Sequence, residues 1–357
     1  MRRALERAAA QVGSTGENPA VGCVLLDADG ATIATGAHRG PGTPHAEVAA
    51  LRQADGRQRG ATAVVTLEPC DHQGRTGPCS QALIEAGIRR VLYAVADPNL
   101  VAAGGARRLR DAGVEVVGGV LQAEGETVLE MWLAAVRTGR PFVTWKFATT
   151  LDGRSAAADG SSRWISSAES RAHAHELRAR HDAILVGSGT WRADNPRLDL
   201  RHGVVGRPPL RVVLDARGEL PPDSRLLDGV NPTLVVTGPG VAVAGIAEDD
   251  VLRLKTDVHG HFPPLALLEA LHRRGVRSVL VEGGPALASA FVRAGLTDRV
   301  VAYVAPMLLG SDGVSAIGEL GVGSIDDAER LRITAVDRIG GDLRVELRPA
   351  DWTRGTQ

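Results

Sequence analysis

The sequence predicts an α/β protein with two domains, and three observations lead to this prediction. First, the chain has 357 residues, whereas one domain contains roughly 100–200. Second, short apolar segments of strand type alternate with segments of helical periodicity, which is typical of mostly parallel sheets covered by helices. Third, a helical segment at residues 123–137 runs into Thr138-Gly139-Arg140-Pro141, where Gly and Pro indicate a helix end and a domain boundary.

The predicted first domain covers residues 1–139. Apolar residues recur at helical spacing in three segments, and three short apolar runs between them are typical of buried strands. The predicted helices are residues 2–12, 45–55 and 80–86, and the predicted strands are residues 21–26, 63–67 and 91–95.

The predicted second domain covers residues 140–357, and about 210 residues lie within the normal range for one domain. Strand-like and helix-like segments alternate here as in the first half, but the two halves share no internal sequence repeat. The predicted strands are residues 142–148, 183–186, 211–214, 233–237, 278–282 and 300–305, and the predicted helices are residues 167–180 and 265–274.

Composition and charge narrow the class of ligand. The hydrophobic share is 44% and the net charge is -1, and the chain has no apolar run long enough to cross a membrane. With a net charge near zero, the chain lacks the excess of basic residues that would bind the phosphates of a nucleic acid. We therefore expect a small-molecule ligand, without nucleic-acid or membrane partners. The first residues also lack the apolar core of a signal peptide, so we expect a cytoplasmic protein.

Two residue types are scarce. Cysteine occurs only at Cys23, Cys70 and Cys79, and lysine only at Lys146 and Lys255, while arginine fills the other basic positions. In a reducing compartment, sparse cysteines near a histidine indicate metal binding or catalysis rather than disulfides.

One histidine and two cysteines form a candidate zinc site. His45 begins a predicted helix, and Cys70 and Cys79 follow a predicted strand. Three such ligands leave the fourth position of Zn2+ open to water, as a catalytic site requires, and zinc lowers the pKa of that water to about 7. Glu47 stands two residues after the histidine, as in the zinc deaminases of bases and nucleosides, where a glutamate moves protons. Cys23 lies in an apolar run and is interpreted as a core residue.

The second half carries two glycine-containing loops after predicted strands. Gly187-Ser188-Gly189-Thr190 follows one strand, and Gly283-Gly284-Pro285 follows another and precedes a helix. Both could present backbone N–H groups to a phosphate, but neither is a complete dinucleotide-binding fingerprint. From the residues alone, each loop is either a phosphate site or simply a tight turn.

The motifs of the first half resemble those of a known family. The segments TLEPCDHQGRTGPC, PHAE, NPAVGCV and ADPN look like the pyrimidine deaminase half of the bifunctional riboflavin biosynthesis deaminase/reductase family. Eight residues separate the two cysteines, and in that family this insert belongs to the motif. The resemblance implies a cytidine-deaminase-like fold for this domain.

The resemblance also implies roles for individual residues of the first half. His45, Cys70 and Cys79 would hold one Zn2+ per chain, and Glu47 would be the catalytic proton shuttle. The substrate would contact Asn18, His38 and His72. The insert also carries Gly74, Arg75 and Thr76, which could donate hydrogen bonds to a phosphoribosyl group.

The second half resembles the reductase half of the same family. The segments are WKFATTLDGRSA, SSRWISS, LVGSGTWRADNPRLDLR, LVEGGPALASAF and YVAPMLLGSDG. This resemblance implies a dihydrofolate-reductase-like fold and NADPH as cofactor. The implied cofactor-binding residues are Ala148, Trp164, Thr190, Asp194, Gly284, Pro285, Ala286, Leu287, Ala288, Ser289 and Ala290. The implied substrate-binding residues are Ser162, Arg178, Leu198, Arg201 and Glu282, where arginine suits a phosphate because its planar fork donates two parallel hydrogen bonds.

Lys146 and Asp152 are further candidates. An exposed lysine near a strand is most often only a solvated charge. In a chain that otherwise uses arginine, however, a lysine shortly before the Leu151-Asp152-Gly153 turn also fits an ammonium beside the sugar hydroxyls or the cofactor.

These observations predict a bifunctional enzyme, which we expect to be a homo-oligomer. It would deaminate 2,5-diamino-6-(5-phosphoribosylamino)pyrimidin-4(3H)-one with zinc. It would then reduce the ribosyl chain of 5-amino-6-(5-phosphoribosylamino)uracil to ribityl with NADPH. One alternative is a zinc deaminase of a related pyrimidine whose second domain is non-catalytic or differs in specificity. Another is a ligand-binding protein that has lost the chemistry.

Overall fold

The computed structural model of the chain describes residues 1–73 and 77–350. It divides into two compact units, Met1–Thr138 and Gly139–Gln357. The division falls one residue before the end of the predicted first domain. No helix of the described residues has both the length and the apolar character that a membrane span requires.

The first unit alternates helices and strands. Its elements, in chain order, are α1 (Arg2–Ala9), β1 (Gly22–Leu26), β2 (Thr32–Ala37), α2 (Ala46–Ala54), β3 (Thr62–Leu67), α3 (Cys79–Glu85), β4 (Arg90–Val95), α4 (Gly105–Asp111), β5 (Glu115–Val117) and α5 (Gln122–Thr138).

The strands of the first unit form one mixed sheet in the order β2-β1-β3-β4-β5. β1 is antiparallel to both β2 and β3, whereas β3, β4 and β5 are parallel. The expectation of a mostly parallel sheet is therefore wrong for half of these pairings. The β1–β2 hairpin causes the difference, because two strands joined by a short connection pair antiparallel.

Two glycines bring the helices of the first unit close to its sheet and loops. A Cβ on Gly36 of β2 would lie 2.0 Å from the carbonyl oxygen of Ala46, at the start of α2. A Cβ on Gly105, the first residue of α4, would lie 1.8 Å from the carbonyl oxygen of Pro69. Only glycine fits such approaches, so both positions fix the segments that carry His45 and Cys70.

The second unit is longer and contains more strands. Its helices are α6 (Ala168–Ala179), α7 (Ser188–Asp194), α8 (Pro264–Arg273) and α9 (Pro285–Arg293). Its strands are β6 (Phe142–Thr150), β7 (Arg154–Ala156), β8 (Ala183–Val186), β9 (Leu210–Leu214), β10 (Thr233–Thr237), β11 (Val251–Arg253), β12 (Ser278–Val281), β13 (Arg299–Ala305), β14 (Val314–Ser315), β15 (Leu331–Ile339) and β16 (Asp342–Pro349).

Most strands of the second unit belong to one sheet in the order β11-β10-β9-β8-β12-β6-β13-β16-β15. The pairings from β11 to β13 are parallel, and the β15–β16 hairpin adds an antiparallel edge. β12 is buried on both faces, because Val279 and Val281 join one apolar cluster and Leu280 joins another. Such continuous apolar strands are typical of parallel sheets covered on both sides.

The carboxyl ends of β8, β12 and β6 define a crevice in this sheet. β12 comes late in the chain but lies between β8 and β6, so the order of strands reverses at this point. Ligands of open α/β sheets bind outside the carboxyl ends of strands at such reversals. The glycine loops Gly187-Ser188-Gly189-Thr190 and Gly283-Gly284-Pro285 begin at these ends.

Candidate active sites

The first site is a cluster of His45, Cys70 and Cys79. His45 caps the start of α2 in an extended conformation, and Cys79 is the first residue of α3. The His45 Nδ1 atom lies 3.2 Å from the Cys79 Sγ atom and 3.5 Å from the Cys70 Sγ atom. The loop that carries Cys70 is tied to α3, because the Cys70 carbonyl accepts a hydrogen bond from the Ser80 N–H at 3.1 Å.

The geometry of this cluster fits zinc. One ligand atom from each residue lies within 4.8 Å of the others. Bond lengths of about 2.0–2.3 Å in a tetrahedral site place ligand atoms about 3.5 Å apart, close to the two nitrogen–sulfur distances given above. Among the described residues, this is the one histidine, cysteine and carboxylate cluster with such spacing. Its three protein ligands leave one tetrahedral position for water or substrate.

The protonation behaviour of the two cysteines favours the binding of a cation. A hydrogen bond from the Cys79 thiol lowers the pKa of Cys70, and burial opposes this effect only in part. Cys79 itself has a raised pKa because it donates that hydrogen bond and because it is buried. Cysteines bind a metal as thiolates, so binding of a cation by this pair would release protons.

Glu47 lies beside the candidate metal ligands in the first turn of α2 and is buried. Burial raises the pKa of its carboxyl group to about 7, and the negative charge of Cys70 adds to the effect. A group with a pKa near the working pH can both accept and donate a proton.

His38 and Asn18 meet next to the zinc ligands. The His38 Nδ1 atom lies 3.2 Å from the Pro44 carbonyl and must donate to it, so the Nε2 atom accepts from the Asn18 amide at 3.1 Å. Burial lowers the pKa of His38, which keeps the ring neutral. Its ring contacts that of His45 edge to face, with 5.4 Å between centroids. The sequence-predicted pair is thus brought to the metal site.

The insert between the cysteines is described in part. The ring of His72 is half-buried, and its Nδ1 atom has no hydrogen-bond partner among the described residues. The other insert positions singled out from the sequence, Gly74, Arg75 and Thr76, lie outside the described residues.

Asp97 of the ADPN segment is a further titratable residue of this region, to which the sequence assigned no role. Burial raises the pKa of Asp97 to about 6, and nearby Glu68 and Cys70 contribute to the shift. Its Oδ1 atom accepts a hydrogen bond from the Asn99 N–H at 2.8 Å, which shapes the loop.

The second site is a cavity of about 1550 Å³ in the second unit. Typical small-molecule pockets measure roughly 300–1,000 Å³, so this one has room for two ligands side by side. Most of the residues that the sequence predicted for cofactor and substrate line its wall. They are Ala148, Ser162, Trp164, Arg178, Thr190, Asp194, Arg201, Glu282, Gly284, Pro285, Ala286, Leu287, Ser289 and Ala290, together with Lys146.

Three predicted residues lie outside this wall. Leu198 is buried in an apolar cluster beneath the cavity. Ala288 is on the side of α9 that packs into the core. Asp152 holds two loops together instead, because its carboxylate accepts hydrogen bonds from the backbone N–H groups of Leu309 at 3.1 Å and Gly310 at 2.7 Å. On α9, helical periodicity places Ala288 on the face that packs into the core.

The charges at one end of the cavity are organised around Glu282. The Arg178 Nε and Nη2 atoms lie 2.6 and 2.9 Å from the two carboxylate oxygens of Glu282, and the Arg178 Nη1 atom donates to the Asp199 carbonyl at 3.0 Å. Burial alone would raise the pKa of Glu282, but Arg178 and Lys146 lower it to about 2. Arg178, which the sequence predicted as a substrate ligand, lines this cavity, and Glu282 and Asp199 engage three of its five N–H donors.

The ammonium group of Lys146 makes no hydrogen bond to the described residues. Its Nζ atom lies 5.6 Å from the ring centroid of Tyr303, within the range of a cation–π contact. Burial lowers the pKa of Lys146, and the charge of Glu282 opposes that shift. The ammonium group is thus held in the cavity wall with hydrogen-bond donors to spare.

His175 was missed from the sequence and belongs to the same end of the cavity. It lies one turn before Arg178 on α6, and this spacing was the available signal. Its Nδ1 atom accepts a hydrogen bond from the Arg201 N–H at 3.0 Å, and burial lowers its pKa to about 4. The Arg201 side chain is half-exposed and lies 2.9 Å from Asp199.

The two glycine loops meet at the other part of the cavity. The Thr190 side chain accepts a hydrogen bond from the Gly284 N–H at 3.2 Å. Gly284 caps α9, so the first turn of that helix opens on the cavity. The exposed ring of Trp164 stacks against the Arg171 guanidinium, 4.3 Å from its centroid, and both line the wall.

Comparisons with known proteins cover both units. The family model described as "Cytidine and deoxycytidylate deaminase zinc-binding region" matches residues 1–95, and the model "RibD C-terminal domain" matches residues 141–345. The chain is 44% identical over 351 residues to the "Riboflavin biosynthesis protein RibD" of Mycobacterium tuberculosis (strain ATCC 25618 / H37Rv), covering 97% of this chain and 96% of that protein. It is 38% identical over 368 residues to the same-named protein of Escherichia coli (strain K12), covering 97% and 98%.

Two solved structures are similar over almost the whole chain. Acinetobacter baumannii RibD, form 2, has a TM-score of 0.90 at 36% identity and covers 98% of this chain and 97% of that chain. A diaminohydroxyphosphoribosylaminopyrimidine deaminase/5-amino-6-(5-phosphoribosylamino)uracil reductase from Thermotoga maritima has a TM-score of 0.88 at 35% identity, with coverage of 98% and 97%. The predicted cytidine-deaminase-like and reductase folds are confirmed.

Proposed function

The chain belongs to the family of the riboflavin biosynthesis protein RibD, and from that premise we propose which of its residues carry out the two reactions. It is a bifunctional deaminase and reductase of riboflavin biosynthesis. The observation that carries the assignment is the pairing, in one chain, of the His45, Cys70 and Cys79 cluster beside buried Glu47 with the large cavity of the second unit. A deaminase with a non-catalytic second domain is not favoured, because relatives match both halves.

The first unit would deaminate 2,5-diamino-6-(5-phosphoribosylamino)pyrimidin-4(3H)-one. His45, Cys70 and Cys79 would hold one zinc ion per chain, and bound zinc makes water a nucleophile at neutral pH. Glu47 would accept the proton from water and deliver it to the departing ammonia, a use that suits its pKa of about 7.

Asn18, His38 and His72 would bind the substrate ring and its substituent. The Asn18 amide NH2 is held by His38, so its carbonyl oxygen is turned to accept from an amino group of the substrate. The unpartnered Nδ1 atom of His72 offers a further polar contact at the edge of the site.

The second unit would reduce the ribosyl chain of 5-amino-6-(5-phosphoribosylamino)uracil to ribityl. NADPH supplies the hydride when bound. The N-terminal turn of α9 and the loop around Thr190 would hold the cofactor, because both segments line the cavity and are joined by the hydrogen bond from the Gly284 N–H to the Thr190 side chain. The exposed face of Trp164 would pack against it.

Lys146 would donate hydrogen bonds to the sugar of the substrate. Its ammonium group lies in the cavity wall near Tyr303 and makes no hydrogen bond to the described residues, whereas Arg178 is bound to Glu282. Arg178 and Arg201, which line the same cavity, would bind the substrate, and the half-exposed Arg201 side chain would reach its phosphate. The Glu282 carboxylate keeps its charge at neutral pH and accepts hydroxyl hydrogen bonds.

Two assays on one purified protein test the proposal. Metal analysis should find about one zinc per chain, and a Glu47→Gln variant should keep that zinc while losing ammonia release by about 10²–10⁴-fold. NADPH oxidation should require the deaminated pyrimidine. Unchanged ammonia release in the variant, or oxidation that proceeds without the pyrimidine, would contradict the corresponding half of the proposal.

We also propose that the deaminase lies in residues 1–139 and the reductase in residues 140–357, and that the protein is a cytoplasmic homo-oligomer. The two compact units support the division. A site that needs free thiols supports a reducing compartment.

A further inference from the structure

The ammonium group of Lys146 needs a contact that fixes its position. A lysine side chain is a flexible four-carbon stem, and holding it in one geometry costs rotamer entropy. Glu282 attracts the ammonium group, but both of its carboxylate oxygens are engaged by Arg178. The ammonium group does contact the face of the Tyr303 ring, whose centroid lies 5.6 Å from Nζ. The ring is therefore the contact that can hold it in the cavity wall.

The large sheet places Lys146 and Tyr303 on the same face. In the parallel pairing of β6 with β13, Lys146 lies opposite Val301 and Ala148 lies opposite Tyr303. Side chains two residues apart along a strand point to the same face, so the ring stands one step along the sheet from the lysine. Val301 and Tyr303 belong to one apolar cluster, and Ala148 packs against it, which agrees with this placement.

Helix α6 also holds the ring. The Tyr303 hydroxyl shares a hydrogen bond of 2.6 Å with the Nδ1 atom of His173 on α6, and the two rings meet edge to face. Leu177, one turn further along this helix, packs in the same apolar cluster as Tyr303. The hydrogen bond restrains the far end of the ring, so the ring keeps one orientation toward Lys146.

Tyr303 supports the cavity without being part of its wall. It is 1% exposed and is not one of the described residues that line the cavity, whereas Lys146 is. Burial raises the pKa of the phenol, which stays protonated and uncharged. A cation–π contact is stronger where water is excluded. The ring can therefore influence a ligand in the cavity through the ammonium group that it holds.

We propose that Tyr303 is a positioning residue of the reductase: its ring face holds the Lys146 ammonium group where the substrate sugar binds, and His173 holds the ring. This inference rests on the proposed function, in which Lys146 donates hydrogen bonds to that sugar. The ring matters more than the hydroxyl, because the hydroxyl meets α6 and not the ammonium group.

Two substitutions separate the ring from the hydroxyl. Tyr303→Leu removes the ring and should lower the kcat/KM of NADPH oxidation about tenfold, the size of effect expected for a desolvated cation–π contact. Tyr303→Phe should stay within about threefold of the wild type, because phenylalanine also presents a π face. Phe142→Leu is the matched control, since Phe142 is a fully buried aromatic residue on the same strand as Lys146. It should leave kcat/KM unchanged, and ammonia release should be unchanged in all three variants.

A double-mutant cycle shows whether Tyr303 acts through Lys146. In a Lys146→Met background there is no ammonium group to hold, so Tyr303→Leu should change the remaining kcat/KM by less than about twofold. A general distortion of the cavity would instead lower kcat/KM about tenfold in both backgrounds. Circular dichroism of each variant would confirm that it folds.

Fluorination tests the same contact with almost no change of shape. Trifluorophenylalanine in place of Tyr303 has nearly the size of phenylalanine but a less negative ring face, so its kcat/KM should fall about fivefold below that of Tyr303→Phe. This comparison decides the matter even if Tyr303→Leu does not fold. Equal rates for the two rings, or equal losses in both backgrounds of the cycle, would overturn the role of Tyr303 alone. An unchanged rate in Lys146→Met would overturn the proposed role of Lys146, and this inference with it.

Discussion

Arg178 and Glu282 form a two-point ion pair in the wall of the reductase cavity, with both carboxylate oxygens engaged at 2.6 and 2.9 Å. Their side chains are 12% and 8% exposed, so the pair is largely removed from water. Removing one partner of such a pair leaves a buried charge without compensation. The pair therefore links the electrostatics of the cavity to the stability of the second unit.

We expect Arg178→Met to lower the free energy of unfolding by about 3–5 kcal/mol, because Glu282 then keeps a buried charge. The double variant Arg178→Met/Glu282→Met should lose much less, since neither charge remains. Chemical denaturation of the three proteins measures both values. Equal losses in the single and double variants would contradict the ion pair's role.

The same pair predicts a dependence of stability on pH. Glu282 has a folded pKa of about 2, below its ordinary value of 4.5, so its contribution of about 3 kcal/mol is complete above pH 4.5 and is lost as the pH falls through 2. Relative to the double variant, the wild-type advantage should therefore be about 2 kcal/mol smaller at pH 3 than at pH 7. Denaturation at both pH values checks this, and a constant difference would argue against the lowered pKa.

The two lysines of the chain offer a matched comparison. Lys146→Met should reduce NADPH oxidation by about 10²-fold or more, because it removes the one unengaged ammonium from the described cavity wall. Lys255→Met, at an exposed position, should leave the rate unchanged. Ammonia release should be unaffected in both, and equal reductase rates in the two variants would remove Lys146 from the site.

Substitution of the three cysteines should likewise distinguish zinc ligands from a core residue. Cys70→Ala and Cys79→Ala should purify with far less zinc than the wild type, because each removes one of three ligands. Cys23→Ala should keep its zinc, since Cys23 is packed in the core of the first unit. Metal analysis after dialysis gives the result, and retained zinc in either ligand variant would show that the cluster is not the metal site.

Gly105→Ala should weaken the zinc site without touching a ligand. Its Cβ would lie 1.8 Å from the Pro69 carbonyl oxygen and 3.5 Å from the Cys70 carbonyl carbon, so α4 or the ligand loop must move. We expect a loss of about 1–3 kcal/mol in stability and faster zinc loss to a chelator. Gly323→Ala, with no atom within 4 Å of its Cβ, is the control, and equal behaviour of the two variants would contradict the prediction.

Helices and strands could be predicted from hydrophobic periodicity, and the candidate zinc cluster could be predicted from motif spacing. The zinc cluster could be predicted because His45 and Cys79 sit at helix starts on either side of a buried strand, where spacing and order suffice. The engagement of Arg178 could not be predicted, because Glu282 lies about a hundred residues away and the two meet only through the sheet order. The ligand contacts expected for Leu198, Ala288 and Asp152 rest on motifs, and a motif does not show that these three residues lie outside the cavity wall.

The position of β12 between β6 and β8 governs the order in which the reductase site can assemble. β6 begins at Phe142 and β8 ends at Val186, but the strand that joins them begins only at Ser278. Until that stretch has been synthesised, both earlier strands present open edges, and the loops that follow them have no neighbour to face. Contacts of such long sequence separation slow folding. The unpaired edges of β6 and β8, where the active site will form, are therefore the part of the nascent second unit that stays prone to aggregation longest.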